Sequence, residues 1–434
     1  MSSMFETLRN AFKIPDLRKK MIFTIVMLII YRIGIKVPVP GIDAAAFTAL
    51  LDRFGQLGSY LDIISGGAFK QVSIFSLGII PYINASIIMQ LLTVAIPALE
   101  RLQKEGDEGR KKIQKYVRYL TVGLALMQAA GYWYTTRLAA APTLPFALNA
   151  MLVILSFTAG TAFIMWIGEQ INESGIGNGI SLIIFAGIVT RAPAGVMTLF
   201  QYFQAWTITR NVIFSILATI GVALLFVLVI ALVVFVHMAE RRIPVQYAKK
   251  VVGRKMYGGQ STYLPIKVNQ AGVIPVIFAS SIVMLPSTLV SLFTQAGEAP
   301  GPVAQWFMDF AGNPLYYVFY ALLIIGFTFF YSMVQFNPIE IANNLQKNGG
   351  FIPGIRPGRP TSEFIQKTSR RLSWFDALFL VLVVLMPTLL SAVTNMSGIW
   401  FGGTAVIILV GVALDLVNQI ESQMVMRHYK GFLD

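Results

Sequence analysis

The chain has 434 residues, of which 56% are hydrophobic and only 12% are charged. Soluble domains carry roughly 25% charged residues, so this composition excludes a soluble globular protein and predicts a membrane protein. The absence of cysteine excludes disulfides and thiolate metal sites, and topology together with anionic lipid accounts for most of the net charge of +14.

Apolar runs long enough to cross a bilayer recur along the chain. A helix needs about 20 apolar residues to span roughly 30 Å of hydrocarbon. A basic amphipathic helix over Phe5–Lys20, without a cleavable signal pattern, precedes the first run. We expect ten spans, near 21–38, 72–96, 116–136, 151–169, from Gly179 onward, 212–236, 271–292, 315–336, 374–393 and 401–420. The fifth span is the weakest, and ten spans place both termini on the same side.

The distribution of Lys and Arg sets the orientation of these spans. Of the 34 basic residues, 26 lie in segments 1–20, 97–115, 237–269, 337–373 and 421–434, and six lie in the alternate loops 36–71, 137–150, 191–211, 293–314 and 394–400. Basic flanking loops stay in the cytoplasm. We therefore expect a cytoplasmic N-terminus (1–20), an N-terminal half (21–200, helices 1 to 5), a C-terminal half (201–420, helices 6 to 10) and a cytoplasmic tail (421–434).

One element occurs twice. GIIPYINASIIMQLL (78–92) returns as GVIPVIFASSIVMLP (272–286), with eight identities in the first fourteen aligned positions. In the expected topology the second span runs inward and the seventh outward, so the two copies are antiparallel. Inverted repeats of this kind usually flank a transport path in membrane proteins.

Three features depart from an ordinary helix bundle. The segment Phe54–Ser76 is too polar to face lipid and too apolar for a solvated loop, so it is either a surface cap or a plug. The small and polar residues of the repeat suit either tight packing or a seam that opens. The equivalent residues Ile83 and Ile277 suit either a core or lipid-facing position, or a constriction that excludes ions by dewetting.

The loops 237–269 and 337–373 are longer than topology requires. Their Lys, Arg, Tyr, Gly and Pro residues predict structured protrusions that bind either lipid headgroups or an acidic or phosphate-rich partner. No nucleotide-binding, nucleophile or metal-ligand motif occurs, so we expect neither an enzyme nor a cofactor. Arg32, Asp376 and Asp415 lie near span ends, where snorkelling or pairing is expected, and this scarcity of acids at mid-depth disfavours an ion-coupled carrier.

Seven stretches resemble, in the same order, the SecY family of protein-conducting channels. They are YRIGIKVPVPGID (31–43), SLGIIPYINASIIMQLLT (76–93), KEGDEGRKKIQKYVRYLT (104–121), INESGIGNGISLIIFAGIV (171–189), ERRIPVQYAKK with QSTYLPIKVNQAGVIPVIFASSI (240–282), GFIPGIRPGRPTSEFI (350–365) and FGGTAVIILVGVALDLVNQIESQMVMRHYKGFL (401–433). The resemblance implies an all-α polytopic fold, with two inverted five-helix halves arranged as a clam-shell around an hourglass pore.

The resemblance also implies a role for individual residues. The pore ring comprises Ile79, Ile83, Ile184, Ile188, Ile277 and Ile408. The lateral gate includes Asn84, Ser86, Gln90, Gln128, Asn269 and Ser281. The plug runs from about 58 to 70 and includes Ser59, Tyr60, Leu61, Ile63, Ile64, Ser65, Gly66 and Gly67. The docking residues for a motor or a ribosome are Lys249, Arg254, Lys255 and Arg356.

The function implied by the resemblance is passive, gated translocation of unfolded secretory polypeptides and lateral insertion of hydrophobic segments. It implies signal sequences as ligands, the SecA motor ATPase or the ribosome as the driver, SecE as a brace, SecG as a peripheral subunit, and the bacterial inner membrane as the location. The resemblance leaves open whether two copies of the chain form a homodimer. A secondary transporter with the same inverted repeat is the alternative, and a receptor that holds ribosomes through Arg254 and Arg356 without conducting is a third hypothesis.

Overall fold

The computed structural model describes residues 4–43, 47, 67–68, 71–136, 145–209, 212–247, 250–252, 255–257, 261–293, 301–302, 305–306, 310, 313–394 and 403–430. These residues are mostly helical, as expected for an all-α polytopic membrane protein. The helices are α1 (Met4–Lys13), α2 (Pro15–Gly34), α3 (Ile80–Ala95), α4 (Pro97–Lys104), α5 (Asp107–Thr136), α6 (Phe146–Ser174), α7 (Gly179–Val189), α8 (Ala192–Thr209), α9 (Val212–Met238), α10 (Ile274–Phe293), α11 (Pro314–Gln335), α12 (Pro338–Lys347), α13 (Arg359–Thr394) and α14 (Gly403–Lys430).

Six helical stretches of the described residues are long and apolar enough to cross a membrane. They are Phe146–Ser174, Gly179–Thr207, Ser215–Met238, Pro314–Lys347, Arg359–Leu390 and Gly403–Val425. The pair α3 and α4, bent by 101°, makes a seventh if it is one span. The bend falls at Ile96, because a residue before proline is pushed out of the helical region and Pro97 then starts a new helix. The chain is a multi-pass membrane protein.

Three predicted boundaries were wrong. The second span was expected from residue 72, but α3 begins at Ile80, after a run of turns. The loop expected at 191–211 is largely the helix α8. The helix expected over Phe5–Lys20 is interrupted at Ile14, where the backbone is extended and Pro15 begins α2. At the start of α3 a left-handed glycine, Gly78, and at the start of α2 a proline, Pro15, set the boundary, and hydropathy registers neither.

The structure divides into two compact units. The first contains Met1–Phe200, Ser281–Tyr316 and Val412–Asp434, and the second contains Gln201–Ser280 and Tyr317–Gly411. In the first unit a buried cluster forms around α5 and α6, where the rings of Tyr132 and Phe157 meet edge to face at 5.2 Å. A Cβ at Gly160 on α6 would collide with the Ile74 carbonyl, so the turns before α3 lie directly on α6.

The second unit carries a small sheet between its helices. Strand β1 (Glu240–Tyr247) lies between β4 (Ser261–Lys267) and β5 (Gly350–Phe351), antiparallel to both, and β2 (Lys250–Val252) pairs with β3 (Lys255–Tyr257). The core under this sheet is formed by Ile243, Val245, Ile266, Ile352 and Ile365, with α12 and α13 packed against it. The described parts of the two long basic loops therefore carry strands and a helix, and their role as protrusions stays a prediction.

Candidate functional site

The two copies of the repeat have the same local structure at their starts. Gly78 and Gly272 both have positive φ, 57° and 65°, and the helices α3 and α10 begin two residues later in each case. In the first helical turn the Ile83 amide donates to Ile79 O at 3.0 Å, and the Ile277 amide donates to Val273 O at 3.3 Å. The sequence repeat is thus a structural repeat with the same register.

The backbone that leads into α3 is irregular but buried. Ser73 Oγ donates to Gly34 O at 3.1 Å, and Ser76 Oγ donates to Ala68 O at 3.0 Å and to Ser73 O at 2.7 Å. Such hydroxyl bonds offer the backbone an alternative to helix. Non-helical backbone at membrane depth needs cover from protein, and Ser73 and Ser76 are indeed buried. The described part of the 54–76 segment is therefore packed inside the first unit.

The six isoleucines expected to form a pore ring lie on four helices or their starts. Ile79 and Ile83 belong to the start of α3 and Ile184 and Ile188 to α7, all in the first unit. Ile277 on α10 and Ile408 on α14 belong to the second unit. All are buried except Ile277, which is half-buried. Within the first unit, α6 contacts both α3 and α7, so it holds the two isoleucine-bearing helices. The assignment of a ring stays a prediction.

The expected gate residues of α3 lie beside its apolar contact with α5. Tyr82, Ala85, Met89 and Leu92 pack with residues of α5 around Val117. Ser86 and Gln90 each follow a residue of this contact, Ala85 and Met89. They share a face of α3 with Ile83, since residues three and four apart lie on the same side of a helix. Asn84, also half-buried, lies on the face of the exposed residue Ile88. Gln90 Oε1 is buried and accepts no hydrogen bond from any described residue.

The other gate residues are placed as follows. Gln128 is half-buried on α5, which is tied to α6 by an ion pair between Arg118 Nε and Glu169 Oε1 at 2.6 Å. Ser281 is half-buried on α10. In the repeat the equivalent of Ser86 is Ser280, which is buried and donates to Ile277 O at 2.8 Å.

Asn269 belongs to a polar junction that precedes α10. Its Oδ1 accepts from the Gly272 amide at 2.7 Å, and its Nδ2 lies 3.0 Å from His237 Nδ1 at the end of α9. The next residue, Gln270, accepts through Oε1 from Ser332 Oγ on α11 at 2.7 Å and from Ser369 Oγ on α13 at 2.9 Å. Sequence reasoning missed Gln270 and its hydroxyl partners. Their signal is the spacing of Ser369 and Ser373, four residues apart on one face of α13, and Ser373 Oγ lies 2.7 Å from Ser332 Oγ.

Similarity to known proteins extends over the whole chain. A family model described as SecY matches residues 73–417. Protein translocase subunit SecY of Streptomyces scabiei is 45% identical over 446 aligned residues, which cover 99% of this chain and 100% of that protein. The chain belongs to the SecY family. The subunit of the same name from Thermotoga maritima is 44% identical over 442 residues, covering 99% of this chain and 98% of that protein.

Solved structures share the fold at lower identity. The structure of a protein-conducting channel matches with a TM-score of 0.64 and 20% identity, covering 94% of this chain and 93% of that one. Sec61 in a canine ribosome–channel complex matches with a TM-score of 0.58 and 18% identity, again covering 94% and 93%. The chain therefore has the fold of the SecY and Sec61 channels.

Of the eight plug residues named from the resemblance to the SecY family, Gly67 alone lies within the described residues, next to the described Ala68 of the same segment. The φ of Gly67 is +92°, and Ser59, Tyr60, Leu61, Ile63, Ile64, Ser65 and Gly66 lie outside the described residues. Of the docking residues, Lys249 and Arg254 also lie outside. Lys255 belongs to β3, and Arg356 is exposed next to the start of α13. Elsewhere on the charged surface, Lys104 donates to Glu100 Oε1 at 2.6 Å, and this bond lowers the pKa of the Glu100 carboxyl.

One expectation for ionisable residues of this SecY-family chain was wrong. Asp376 was expected to snorkel or to pair near a span end, but it is 1% exposed on α13, and its Oδ1 has no hydrogen-bond partner among the described residues. The hydropathy profile places it near an end, and packing against neighbouring helices buries it. Asp415 is exposed. Among the described residues no group of three His, Cys, Asp or Glu could hold a metal ion.

Proposed function

We propose that the chain is the channel subunit of a protein translocase. It conducts unfolded secretory polypeptides across the membrane and releases hydrophobic segments sideways into the bilayer. The observation that carries the proposal is the full-length match to proteins named protein translocase subunit SecY, at 45% and 44% identity. The solved channel of the same fold, described as protein-conducting, supports it. The relatives give no support to the alternative of a secondary transporter.

Gating follows from the repeat. A signal helix enters the seam between α3 and α5 on one side and α10 and α11 on the other, and replaces the contacts that these helices make. The plug at about 58–70 then leaves, and the isoleucine ring closes around the polypeptide as an apolar gasket that excludes ions by dewetting. A signal helix with higher affinity for the open state shifts the equilibrium by that difference in affinity.

The energy for transport comes from partners. The chain carries no nucleotide-binding motif, so an ATPase motor, SecA, or a translating ribosome drives the polypeptide, docking at Lys249, Arg254, Lys255 and Arg356. A structure of Sec61 with the ribosome supports this use of the fold. SecE braces the two halves and SecG attaches at the periphery, in the bacterial inner membrane with both termini cytoplasmic.

Crosslinking of a translocating polypeptide tests this function. The chain has no cysteine, so single Ile83→Cys, Ile277→Cys and Ile408→Cys variants carry one thiol each. A secretory polypeptide arrested during export should crosslink to all three. The matched control is Leu228→Cys, a 56% exposed position in the middle of α9. Crosslinking at position 228 as strong as at the three isoleucines would show that the polypeptide does not pass the proposed ring.

A further inference from the structure

We propose that His237 is a positioning residue for α10, the second helix of the repeat. Its Nδ1 accepts a hydrogen bond from Asn269 and thereby fixes the backbone turn from which α10 begins. The role in gating rests on the proposed function, because α10 matters to transport only if it is a gate helix. The structural part, that His237 holds the start of α10 through Asn269, stands on its own geometry.

The orientation of the Asn269 amide is set by the backbone. The Gly272 N–H lies 2.7 Å from one side-chain atom of Asn269, and a backbone N–H can only donate. The atom facing Gly272 is therefore the amide oxygen. The NH2 group consequently faces His237 Nδ1, at 3.0 Å.

This orientation decides the state of the histidine. An NH2 group can only donate, so His237 Nδ1 must be an acceptor without a hydrogen, and the ring hydrogen is on Nε2. The ring lies between elements of the second unit: its Cε1 is 3.4 Å from the position of a Cβ at Gly411 on α14. An added Cβ at Gly411 would therefore be in ordinary van der Waals contact with the imidazole, which places the ring against α14.

The Asn269 side chain is too buried to find another partner easily. It is 5% exposed, so an NH2 group without its acceptor would be left unsatisfied, which costs more than a lost surface hydrogen bond. Without His237, the NH2 group of Asn269 could reach another acceptor only if the Asn269 side chain rotated. That rotation would break the hydrogen bond from the Gly272 amide to Asn269 Oδ1. The histidine acceptor and the Gly272 turn are therefore coupled through one side chain.

The turn at Gly272 sets the first turn of α10. Gly272 has φ of 65°, α10 begins at Ile274, and the Ile277 amide bonds to Val273 O. On the other side Gln270 ties the same segment to α11 and α13 through Ser332 and Ser369. Asn269 and Gln270 thus connect the start of α10 to three helices, α9, α11 and α13. His237 is the partner on α9.

Hydrogen exchange of the full chain, in lipid nanodiscs with the subunits that copurify with it, tests this role. His237→Phe keeps a planar ring without an acceptor, and His237→Gln keeps an acceptor oxygen. We expect His237→Phe to speed amide exchange of the segment 269–278 about fivefold, as for one lost net hydrogen bond. We expect His237→Gln to stay within about twofold of the wild-type chain, because its carbonyl rescues the bond. His237→Leu repeats the loss with a different shape.

A control on the same helix separates this role from general loosening. Val236 is 4% exposed and adjacent in sequence, so Val236→Ala removes buried atoms without touching the polar bridge. If Val236→Ala speeds exchange of 269–278 as much as His237→Phe does, or if His237→Phe and His237→Leu both exchange like the wild-type chain, the positioning role is refuted. Loss of rescue by His237→Gln also refutes it.

A second measurement keeps the inference apart from the proposed function. Vesicles with the wild-type complex and an ATPase motor should protect an added preprotein from protease. Failure of that protection overturns the proposed function, and the exchange result stands independently of it. If the wild-type complex translocates, His237→Phe should change export of a preprotein with a defective signal, and His237→Gln should not. Equal export by both variants overturns the gating role.

Discussion

Gly78 and Gly272 share a left-handed backbone conformation, and each lies two residues before a helix of the repeat. A non-glycine residue adopts this conformation at a cost, since its Cβ approaches the following carbonyl. The glycine identity in both copies is therefore a requirement of backbone geometry, which two unrelated apolar helices would not share. The relationship supports one structural element used twice and locates the start of each copy.

Replacing Gly272 with alanine should destabilise the observed conformation. A Cβ there would have no neighbour within 4 Å, so the effect comes from the φ of 65° alone. We expect Gly272→Ala to lower the free energy of unfolding by about 1–2 kcal/mol, measured by thermal unfolding in detergent. Gly326 on α11 also has no neighbour within 4 Å of its Cβ position but lies inside a helix, so Gly326→Ala should raise stability by up to about 1 kcal/mol. Equal effects of the two changes would contradict the backbone argument.

Polar substitution of the expected ring should open the resting channel to ions. In the triple variant Ile83→Asn, Ile277→Asn and Ile408→Asn, amide groups hold water where apolar side chains exclude it. We expect resting ion conductance in planar bilayers to rise on the order of tenfold, and export of proteins with defective signals to rise with it. Leucine at the same three positions keeps the apolar rim and should conduct like the wild-type chain. No change in either measurement would remove these residues from the ring.

Neutralising Asp376 should stabilise the protein. Its side chain is 1% exposed, and Oδ1 finds no hydrogen-bond partner among the described residues, so the charged form is poorly solvated. We expect Asp376→Asn to raise the free energy of unfolding by about 1–3 kcal/mol without loss of translocation. The exposed Asp415 is the control, and Asp415→Asn should change stability by less than about 0.5 kcal/mol. Loss of transport in Asp376→Asn would instead favour a coupled carrier.

Charge reversal at Arg356 should weaken docking of a ribosome or a motor. Arg356 is exposed next to α13, so the change leaves the core under the sheet intact. We expect Arg356→Glu to reduce affinity about three- to tenfold, mainly through slower association, with a smaller loss at high salt. Cosedimentation with ribosomes and binding to the purified motor measure it. Lys347→Glu at the end of α12 reverses the same charge elsewhere, and an equal loss there would indicate a general charge effect.

Much of the architecture follows from the sequence. Composition excluded a soluble protein, and hydropathy located the apolar helices. The repeat at 78–92 and 272–286 identified the paired elements from the sequence alone. These features are local or periodic along the chain, so they can be recognised without knowing which residues are in contact. The boundaries were less predictable, because α3 begins at Ile80 through serine hydroxyl bonds and a left-handed glycine that hydropathy does not weigh.

The site divides in the same way. The sequence by itself determined the residue types, the register of Ile83 against Ile277, and the match of Gly78 with Gly272, whose left-handed conformation came from the structure. Only the tertiary structure decided the hydrogen-bond partners: Asn269 contacts His237, and Gln270 contacts Ser332 and Ser369. These pairs are separated by up to 99 residues along the chain. The burial of Asp376 was likewise decided by the tertiary structure. A hydrogen bond depends on distances within 3 Å or so, which no periodicity in the sequence encodes.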